Sequence, residues 1–174
     1  TAQNLLVNAD CSEEKVTLPD GATTTWQEGK PPAAWSFWQA DQSHGTPGWD
    51  KAVGAASPGS GVMTKVGNGC LIQTITVKPG EVYAVTAKRK VAGTAGGGIR
   101  VRWQKPEGGW CHEELDKLLY PVDADGEWLP IAGVVTVPED VGRLVGLLGS
   151  TGQEAEGDAV WYDDVAVFKL DADF

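Results

Sequence analysis

The chain has 174 residues, and 24 acidic residues against 14 basic ones give it a formal net charge of −10. That excess of acid excludes a nucleic-acid partner, whose phosphates need a basic surface, and it excludes an anionic membrane surface. No apolar run reaches about 18 residues, so no segment is predicted to span a bilayer. The 23 Gly, 10 Pro and eight Trp, with a single Met, predict short strands joined by turns, in one domain over residues 1–174.

Apolar runs of strand length, bounded by Gly, Pro and Asp, follow one another along the chain. In chain order they are Asn4–Asn8, Ala33–Trp38, Val62–Val66, Cys70–Val77, Val82–Val91, Gly98–Gln104, Leu129–Val137, Leu144–Gly149 and Val160–Leu170. Several alternate apolar and polar residues, which is typical of strands with one buried face. About nine such strands predict an all-β fold, a two-sheet antiparallel β-sandwich or jelly roll.

Two local patterns complete the predicted elements. Lys78-Pro-Gly-Glu81 has the Pro-Gly pair of a tight turn and predicts a hairpin between the two runs that flank it. Glu113–Leu119 alone has helical spacing, with Pro121 ending it. The cysteines form no CxxC and leave one unpaired in any bridging scheme, so they decide neither the fold nor the compartment.

The sequence contains few candidate catalytic residues. Glu113/Glu114 and Asp163/Asp164 are adjacent carboxylates, and neighbours on a strand point to opposite faces, so neither doublet forms an acid–base pair. The adjacent Cys111 and His112 lack the spacing of a zinc site. No catalytic residue is predicted, and an enzyme would have to rely on scattered carboxylates with His112 and Tyr120.

Seven of the eight tryptophans divide into core or partly buried residues and candidate binding platforms. Trp35 and Trp103 share the parity of apolar neighbours, which predicts that they lie in the core, and Trp128 is expected to be partly buried. A sugar ring has an apolar C–H face that can stack on an exposed indole. The candidates for such platforms lie on the opposite parity to Phe37 or in loops rich in Gly and Pro: Trp26, Trp38, Trp49 and Trp110.

Basic side chains also point away from the predicted core. Arg100 and Arg102 alternate with apolar residues, and Lys88 and Lys90 do the same on the preceding strand. If these strands are neighbours, a basic strip crosses one sheet and could bind polar or anionic sugar groups. The alternative is ordinary surface charge that keeps the sheet soluble.

Asp163 has the parity of Val165 and Val167, which places its carboxylate at the rim of the core. A buried carboxylate needs compensation. Either a cation supplies it, with oxygen ligands from Asn8–Ser12 if the first and last strands are adjacent, or Asp163 caps the N–H groups of a loop. Both alternatives stay open.

Four motifs in order along the chain resemble the carbohydrate-binding modules (CBMs) of families 4, 9 and 22. They are Asn4-Leu-Leu-Val-Asn8, Gln73-x-Ile-x-Val-x-Pro-Gly-x-Val-Tyr83, Trp128 with Val-Thr-Val-Pro138, and Tyr162-Asp-Asp-Val-Ala-Val167. The resemblance implies a non-catalytic jelly roll that binds a polysaccharide across one sheet. It also implies a secreted or cell-surface location, tethering to a catalytic or other module, and a monomer.

The same resemblance implies a structural calcium ion between the N-terminal segment and the terminal aspartates. The ligands would come from Asn8, Asp10, Asp163 and Asp164. Those modules have Phe-Glu where this sequence has Cys11-Ser12, so any second acidic ligand would come from Asp10 or Glu13.

The predicted function is therefore non-catalytic binding of a polysaccharide or oligosaccharide. The predicted ligand-binding residues, chosen by parity and loop position, are Trp38, Trp49, Trp110, Arg100, Arg102 and Lys88. The alternatives are a structural or adhesion domain, in which the indoles are core, and a lyase or glycosidase on the same fold.

Overall fold

The computed structural model describes residues 3–122 and 125–171, which form almost only β-structure. The strands are β1 Lys15–Thr17, β2 Thr23–Thr25, β3 Ser36–Gln39, β4 Thr46–Asp50, β5 Ser60–Thr64, β6 Asn68–Thr76, β7 Val82–Ala92, β8 Ile99–Gln104, β9 Trp110–Cys111, β10 Lys117–Leu119, β11 Leu129–Thr136, β12 Arg143–Thr151 and β13 Ala159–Leu170. A 3₁₀ turn spans Glu113–Leu115. Within these described ranges, no helix is long and apolar enough to cross a membrane.

The strands form two antiparallel sheets and a small hairpin. The first sheet has the order β10-β8-β12-β6-β3, with β9 also paired to β8, and the second has the order β11-β7-β13-β5-β4. β1 and β2 pair with each other. One apolar core contains inward side chains of both sheets, such as Val101 and Leu148 from the first and Val85 and Val160 from the second. The predicted all-β sandwich of the jelly-roll type is confirmed.

Alternation along the strands decides which side chains enter this core. In β8, the buried residues Ile99, Val101 and Trp103 alternate with Arg100 and Arg102, which are half-exposed. The outward face of the first sheet is therefore formed by the polar and half-exposed positions of its strands.

The two predicted core tryptophans are buried as expected. Each indole N–H has a partner, since Trp35 Nε1 donates to Asn8 O at 3.1 Å and Trp103 Nε1 donates to Leu115 O at 3.0 Å. These bonds offset the cost of burying a polar N–H group. Trp128 is half-buried, again as predicted.

The hairpin predicted at Lys78-Pro-Gly-Glu81 is wrong. The turn exists, and Glu81 N donates to Lys78 O at 3.2 Å, but the strands it joins belong to different sheets. β6 pairs with β12 and β3, while β7 pairs with β11 and β13. A turn between two facing sheets has the same Gly and Pro requirements as a hairpin turn, so local sequence does not separate the two.

The helical spacing over Glu113–Leu119 predicts one short turn of helix, and the structure has a 3₁₀ turn at Glu113–Leu115 but no helix beyond it. After the 3₁₀ turn, Asp116 has φ −56° and ψ 140°, and Lys117–Leu119 continues as β10 against β8. Leu119 is buried, whereas Leu115 and Leu118 are exposed. Pairing with β8 and burial of one leucine outweigh the helical spacing.

The N-terminal run Asn4–Asn8 does not form a strand, but it lies beside β13. Leu5 N donates to Val167 O at 2.9 Å, and Asn4 Nδ2 donates to Val165 O at 3.0 Å. The expected adjacency of the first and last segments is present.

Candidate functional site

A groove of about 670 Å³ crosses the outward face of the first sheet. One row of consecutive cross-strand partners in it runs over four strands, as Ile72, Leu147, Arg100 and Leu118. A second row joins three strands, as Trp38, Cys70 and Gly149. Because the rows include side chains from successive strands, a ligand lying across the sheet contacts several strands at once.

Two exposed indoles stand at opposite edges of this groove. Trp38 on β3 is 52% exposed and Trp110 on β9 is 50% exposed. Three strands, β6, β12 and β8, separate the strands that carry them. At a strand spacing of about 4.8 Å, the two indoles are about 19 Å apart across the sheet.

Two arginines share one carboxylate oxygen at the β8 end of the groove. Asp116 Oδ2 accepts from Arg100 Nε and from Arg102 Nε, both at 3.1 Å, and lies 2.9 Å from Arg100 Nη2. The Asp116 side chain is only 5% exposed, whereas those of Arg100 and Arg102 are 43% and 23% exposed. The carboxylate is thus beneath the arginines, and the guanidinium groups face the groove.

Trp110 also packs against the guanidinium group of Arg102. The guanidinium carbon of Arg102 lies 4.0 Å from the centre of the Trp110 ring, which is a cation–π contact. Stacking on the face of the guanidinium and the in-plane hydrogen bond from Nε to Asp116 together fix its orientation. The terminal nitrogens of Arg102 donate no hydrogen bond within residues 3–122 and 125–171. They are therefore available to a ligand.

The floor of the groove is uncharged. Cys70 is buried there, and burial raises the pKa of its thiol to about 11, with the charge of Arg102 acting in the opposite direction. The thiol is thus protonated at neutral pH and is not a nucleophile. Gly149 keeps the floor low, since a Cβ at this position would lie 2.8 Å from Gly98 O.

Four of the six predicted ligand-binding residues meet in this groove: Trp38, Trp110, Arg100 and Arg102. Trp49 does not belong to it. Its strand, β4, is at the edge of the second sheet, and its Nε1 donates to Cys11 O at 2.5 Å. Trp49 packs edge-to-face on Trp26 at 5.4 Å, with Lys51 Nζ against both rings. These contacts cover part of both indoles, and the pair lies outside the groove.

The prediction that Lys88 shares a basic strip with Arg100 and Arg102 is wrong. Lys88 lies on β7 in the second sheet, opposite Pro130 and Asp163, whereas Arg100 and Arg102 lie on β8 in the first. β7 and β8 are consecutive in sequence but occupy opposite layers, so their outward faces point away from each other.

Two of the residues predicted to bind calcium, Asn8 and Asp163, accept hydrogen bonds from backbone N–H groups, as the capping alternative describes for Asp163. Asp163 is 1% exposed; its Oδ2 accepts from Ala55 N and its Oδ1 from Asp164 N, both at 2.7 Å. Burial raises the pKa of Asp163 to about 6. Asn8 Oδ1 accepts from Glu13 N at 3.1 Å.

The donor chemistry suits calcium, and the same oxygens accept hydrogen bonds in this structure. Asp10 Oδ1 accepts from both the N–H and the hydroxyl of Ser12. Among the residues that the structure describes, no three His, Cys, Asp or Glu side chains lie close enough to hold a metal ion. A calcium ion at Asn8, Asp10, Asp163 and Asp164 stays a prediction that these contacts do not favour.

Sequence reasoning missed other residues at this site, including Leu118 and Ile72 in the groove lining and Asp116 behind the two arginines. Tyr120, considered for an enzyme, is exposed on the groove wall beside Leu118. One sequence signal could have shown that this segment is a strand with an exposed face. Leu118, Tyr120 and Val122 are exposed, and Leu119 between the first two is buried. Helical spacing in the same segment concealed it.

No family model matches this chain, and no curated protein does either. Solved structures do resemble it. A Stig cyclase from Fischerella sp. TAU, in complex with an indole compound, is 13% identical over 99% of this chain and 100% of its own, with a TM-score of 0.64. A structure described as a CBM4 is 19% identical, with 78% of this chain and 86% of its own covered, at a TM-score of 0.50.

The Clostridium thermocellum endo-1,4-β-D-xylanase 10B is a third such structure, containing CBM22-1 and GH10 modules complexed with xylohexaose. It is 12% identical over 79% of this chain, with a TM-score of 0.58. This chain spans 26% of the xylanase chain but the full length of the cyclase. At such identities, the likeness shows a shared jelly-roll fold.

Proposed function

We propose that this chain binds a glycan in the groove of the first sheet. Trp38 and Trp110 stack on sugar rings, while Arg100 and Arg102 bond their polar substituents. The observation that carries the proposal is that two half-exposed indoles and two arginines line one open groove. Indole faces suit the apolar C–H surface of a sugar, and guanidinium N–H groups suit its oxygens.

Two of the similar structures support a glycan as the ligand. One is described as a CBM4, and the other contains a CBM22 module and was solved with xylohexaose. They share the fold of this chain, and this chain has an open groove on one sheet of that fold. Fold alone does not imply function, so the groove and its side chains carry the argument.

Binding without turnover is the second part of the proposal. The charged side chains that line the groove are Arg100 and Arg102, and the described lining contains no carboxylate or histidine. A glycosidase needs two carboxyl groups across the scissile bond. We propose that the chain acts as a monomeric, extracellular or cell-surface module tethered to a glycan-active enzyme or to other modules.

A panel of soluble polysaccharides tests this function by affinity gel electrophoresis. Wild-type protein should be retarded by at least one of glucan, xylan, mannan and polyuronate gels. Trp38→Ala and Trp110→Ala should migrate faster in that gel than wild type. Val134→Ala is the matched control, because Val134 is also exposed but lies on β11 in the second sheet.

Two results would contradict the proposal. Retardation by none of the polysaccharides would favour a structural or adhesion domain. Release of products from the retarding polysaccharide would establish an enzyme on the jelly roll, as in the cyclase that shares the fold.

A further inference from the structure

We infer that the groove selects acidic glycans, whose carboxylate or sulfate groups bind to Arg100 and Arg102. This inference rests on the proposed glycan-binding function and specifies its ligand class. It depends on the sign of the groove's charge, on the free donors of Arg102 and on the way that both arginines are held.

The groove is positive in a strongly acidic protein. The chain has a formal net charge of −10, yet the charged side chains in the described groove lining are two arginines. Asp116, whose Oδ2 accepts from both arginines, carries one negative charge against their two positive charges. The cluster of Arg100, Arg102 and Asp116 therefore retains one positive charge, which faces the groove.

An anion suits this cluster better than a neutral hydroxyl does. The Asp116 bond uses Nε of Arg102 and leaves both terminal nitrogens as donors. Two parallel N–H groups match the two oxygens of a carboxylate or sulfate, and a charge-assisted pair of this kind is stronger than a neutral hydrogen bond. Part of the ordering cost is already met, since Trp110 and Asp116 hold the guanidinium before the ligand arrives.

The position of the cluster places an anion beside a sugar ring. Trp110 stacks on Arg102 and is itself half-exposed, and Arg100 neighbours the exposed Leu118 across the strand pair. A ring packed on the apolar wall would therefore bring its acidic substituent to the guanidinium groups. A free anion without a ring would lack the apolar contact, so an acidic sugar is favoured over a simple ion.

Isothermal titration calorimetry with matched oligosaccharide pairs tests the inference on the full chain. One pair is oligogalacturonate and its methyl ester, and the other is dextran sulfate oligosaccharide and dextran of equal length. The acidic member of at least one pair should bind about tenfold more tightly than its neutral partner, the size expected for one extra charge-assisted bond. The pair that shows the difference identifies carboxylate or sulfate as the preferred group.

Variants assign the difference to the groove. Arg102→Ala should reduce affinity for the acidic member about tenfold and for the neutral member by much less, and Arg102→Lys should recover only part of the loss, because it restores charge without the planar fork. Lys88→Ala removes an exposed positive charge from the second sheet and should bind like wild type. Near-ultraviolet circular dichroism checks that each variant is folded.

The outcomes separate the two proposals. Equal or tighter binding of the neutral member in both pairs overturns the inference and leaves glycan binding intact. An equal loss for Arg102→Ala and Lys88→Ala also overturns it. If neither these oligosaccharides nor neutral gluco-, xylo- and manno-oligosaccharides bind, the proposed function itself fails.

Discussion

Single side chains decide whether the groove is a binding surface. An indole that packs in the core contributes to the free energy of unfolding, as Trp103 does with its buried ring and its N–H bonded to Leu115 O. Trp38 and Trp110 leave about half of their surfaces in solvent instead. The proposed glycan-binding site rests on these two exposed apolar side chains in one groove.

Replacing either groove indole should separate binding from stability. Trp38→Ala and Trp110→Ala are each expected to lower glycan affinity about tenfold and to change the free energy of unfolding by less than about 1 kcal/mol. Urea unfolding and calorimetry on the same samples check both effects. Trp103→Ala is the contrasting variant and should cost about 3–5 kcal/mol. A large stability loss in Trp38→Ala would show that this indole is structural.

Asp158 predicts a specific pH dependence of stability. Its carboxylate accepts from the Thr94 hydroxyl at 2.7 Å and from the backbone N–H groups of Thr94, Glu154 and Ala155. These bonds, with the Thr94 hydroxyl first, lower the pKa of Asp158 to about 2. Because the folded pKa is below the unfolded one, its stabilisation is complete above about pH 4 and is lost as the pH falls through about 2.

The test compares wild type with Asp158→Asn by urea unfolding between about pH 2 and pH 7. The difference in unfolding free energy should be largest at neutral pH and shrink as the pH falls below about 4. A difference that grows toward low pH would contradict the assigned hydrogen bonds.

Calcium removal tests the contacts of Asp163. Both of its carboxylate oxygens accept backbone N–H bonds, so we expect the thermal unfolding midpoint to be the same in excess chelator and in excess calcium. Differential scanning calorimetry measures both. A midpoint that falls with chelator and recovers with calcium, but not with magnesium, would establish the ion and require these oxygens to rearrange.

At the scale of elements, the junction of β8, β9 and β10 builds the charged end of the groove. β10 brings Leu118 opposite Arg100, and Asp116, which directly precedes β10, reaches both arginines. β9 brings Trp110 onto Arg102. Two short strands on either end of one arginine-bearing strand thus set the orientation of the guanidinium groups.

Asp116→Asn separates positioning from charge. The variant makes the groove more positive but weakens the bonds that hold both arginines, so we expect weaker binding of an acidic oligosaccharide despite the added charge. Its cost in unfolding free energy should be about 1–3 kcal/mol, typical of a lost bond to a charged group. Calorimetry measures affinity, and urea unfolding measures stability. Tighter binding by the variant would show that net charge alone governs the site.

Strands buried on one face were predictable from the sequence, because period-two alternation is a local signal. The run Val82–Val91 corresponds to β7 at Val82–Ala92, and Val160–Leu170 corresponds to β13 at Ala159–Leu170. The short strands β1, β2, β9 and β10 were not predicted, since each has at most three residues and depends on its partner. A strand of two or three residues is too short to show an alternation of apolar and polar residues.

The sequence predicted the site only where a residue's position along a strand decides which face its side chain takes. Parity placed Trp38, Arg100 and Arg102 on outward faces, as the structure does. It did not give the sheet to which a strand belongs, and for this reason Lys88 was grouped with arginines of the opposite layer. Trp49 failed for another reason, because its loop-like Gly and Pro neighbours belong to an edge strand with a packed indole.

For the whole molecule, the charge distribution has a consequence for association. The protein has a formal net charge of −10, so an acidic polymer is repelled by most of its surface and attracted by one groove. Added salt screens both effects, and only the local attraction lies within a Debye length, about 8 Å at physiological ionic strength. Non-specific binding to acidic glycans is therefore not expected, and any binding seen should weaken in Arg102→Ala.

Sugar rings are proposed to contact Trp38 and Trp110, the two exposed indoles of the groove, and none of the other indoles. Titration of ¹⁵N-labelled protein with a bound oligosaccharide, followed by two-dimensional NMR of the indole N–H signals, measures this directly. The signals of Trp38 and Trp110 should shift in proportion to occupancy, while those of Trp35, Trp103, Trp26 and Trp49 stay in place. Shifts confined to Trp26 and Trp49, or binding without movement of Trp38 and Trp110, would contradict the account.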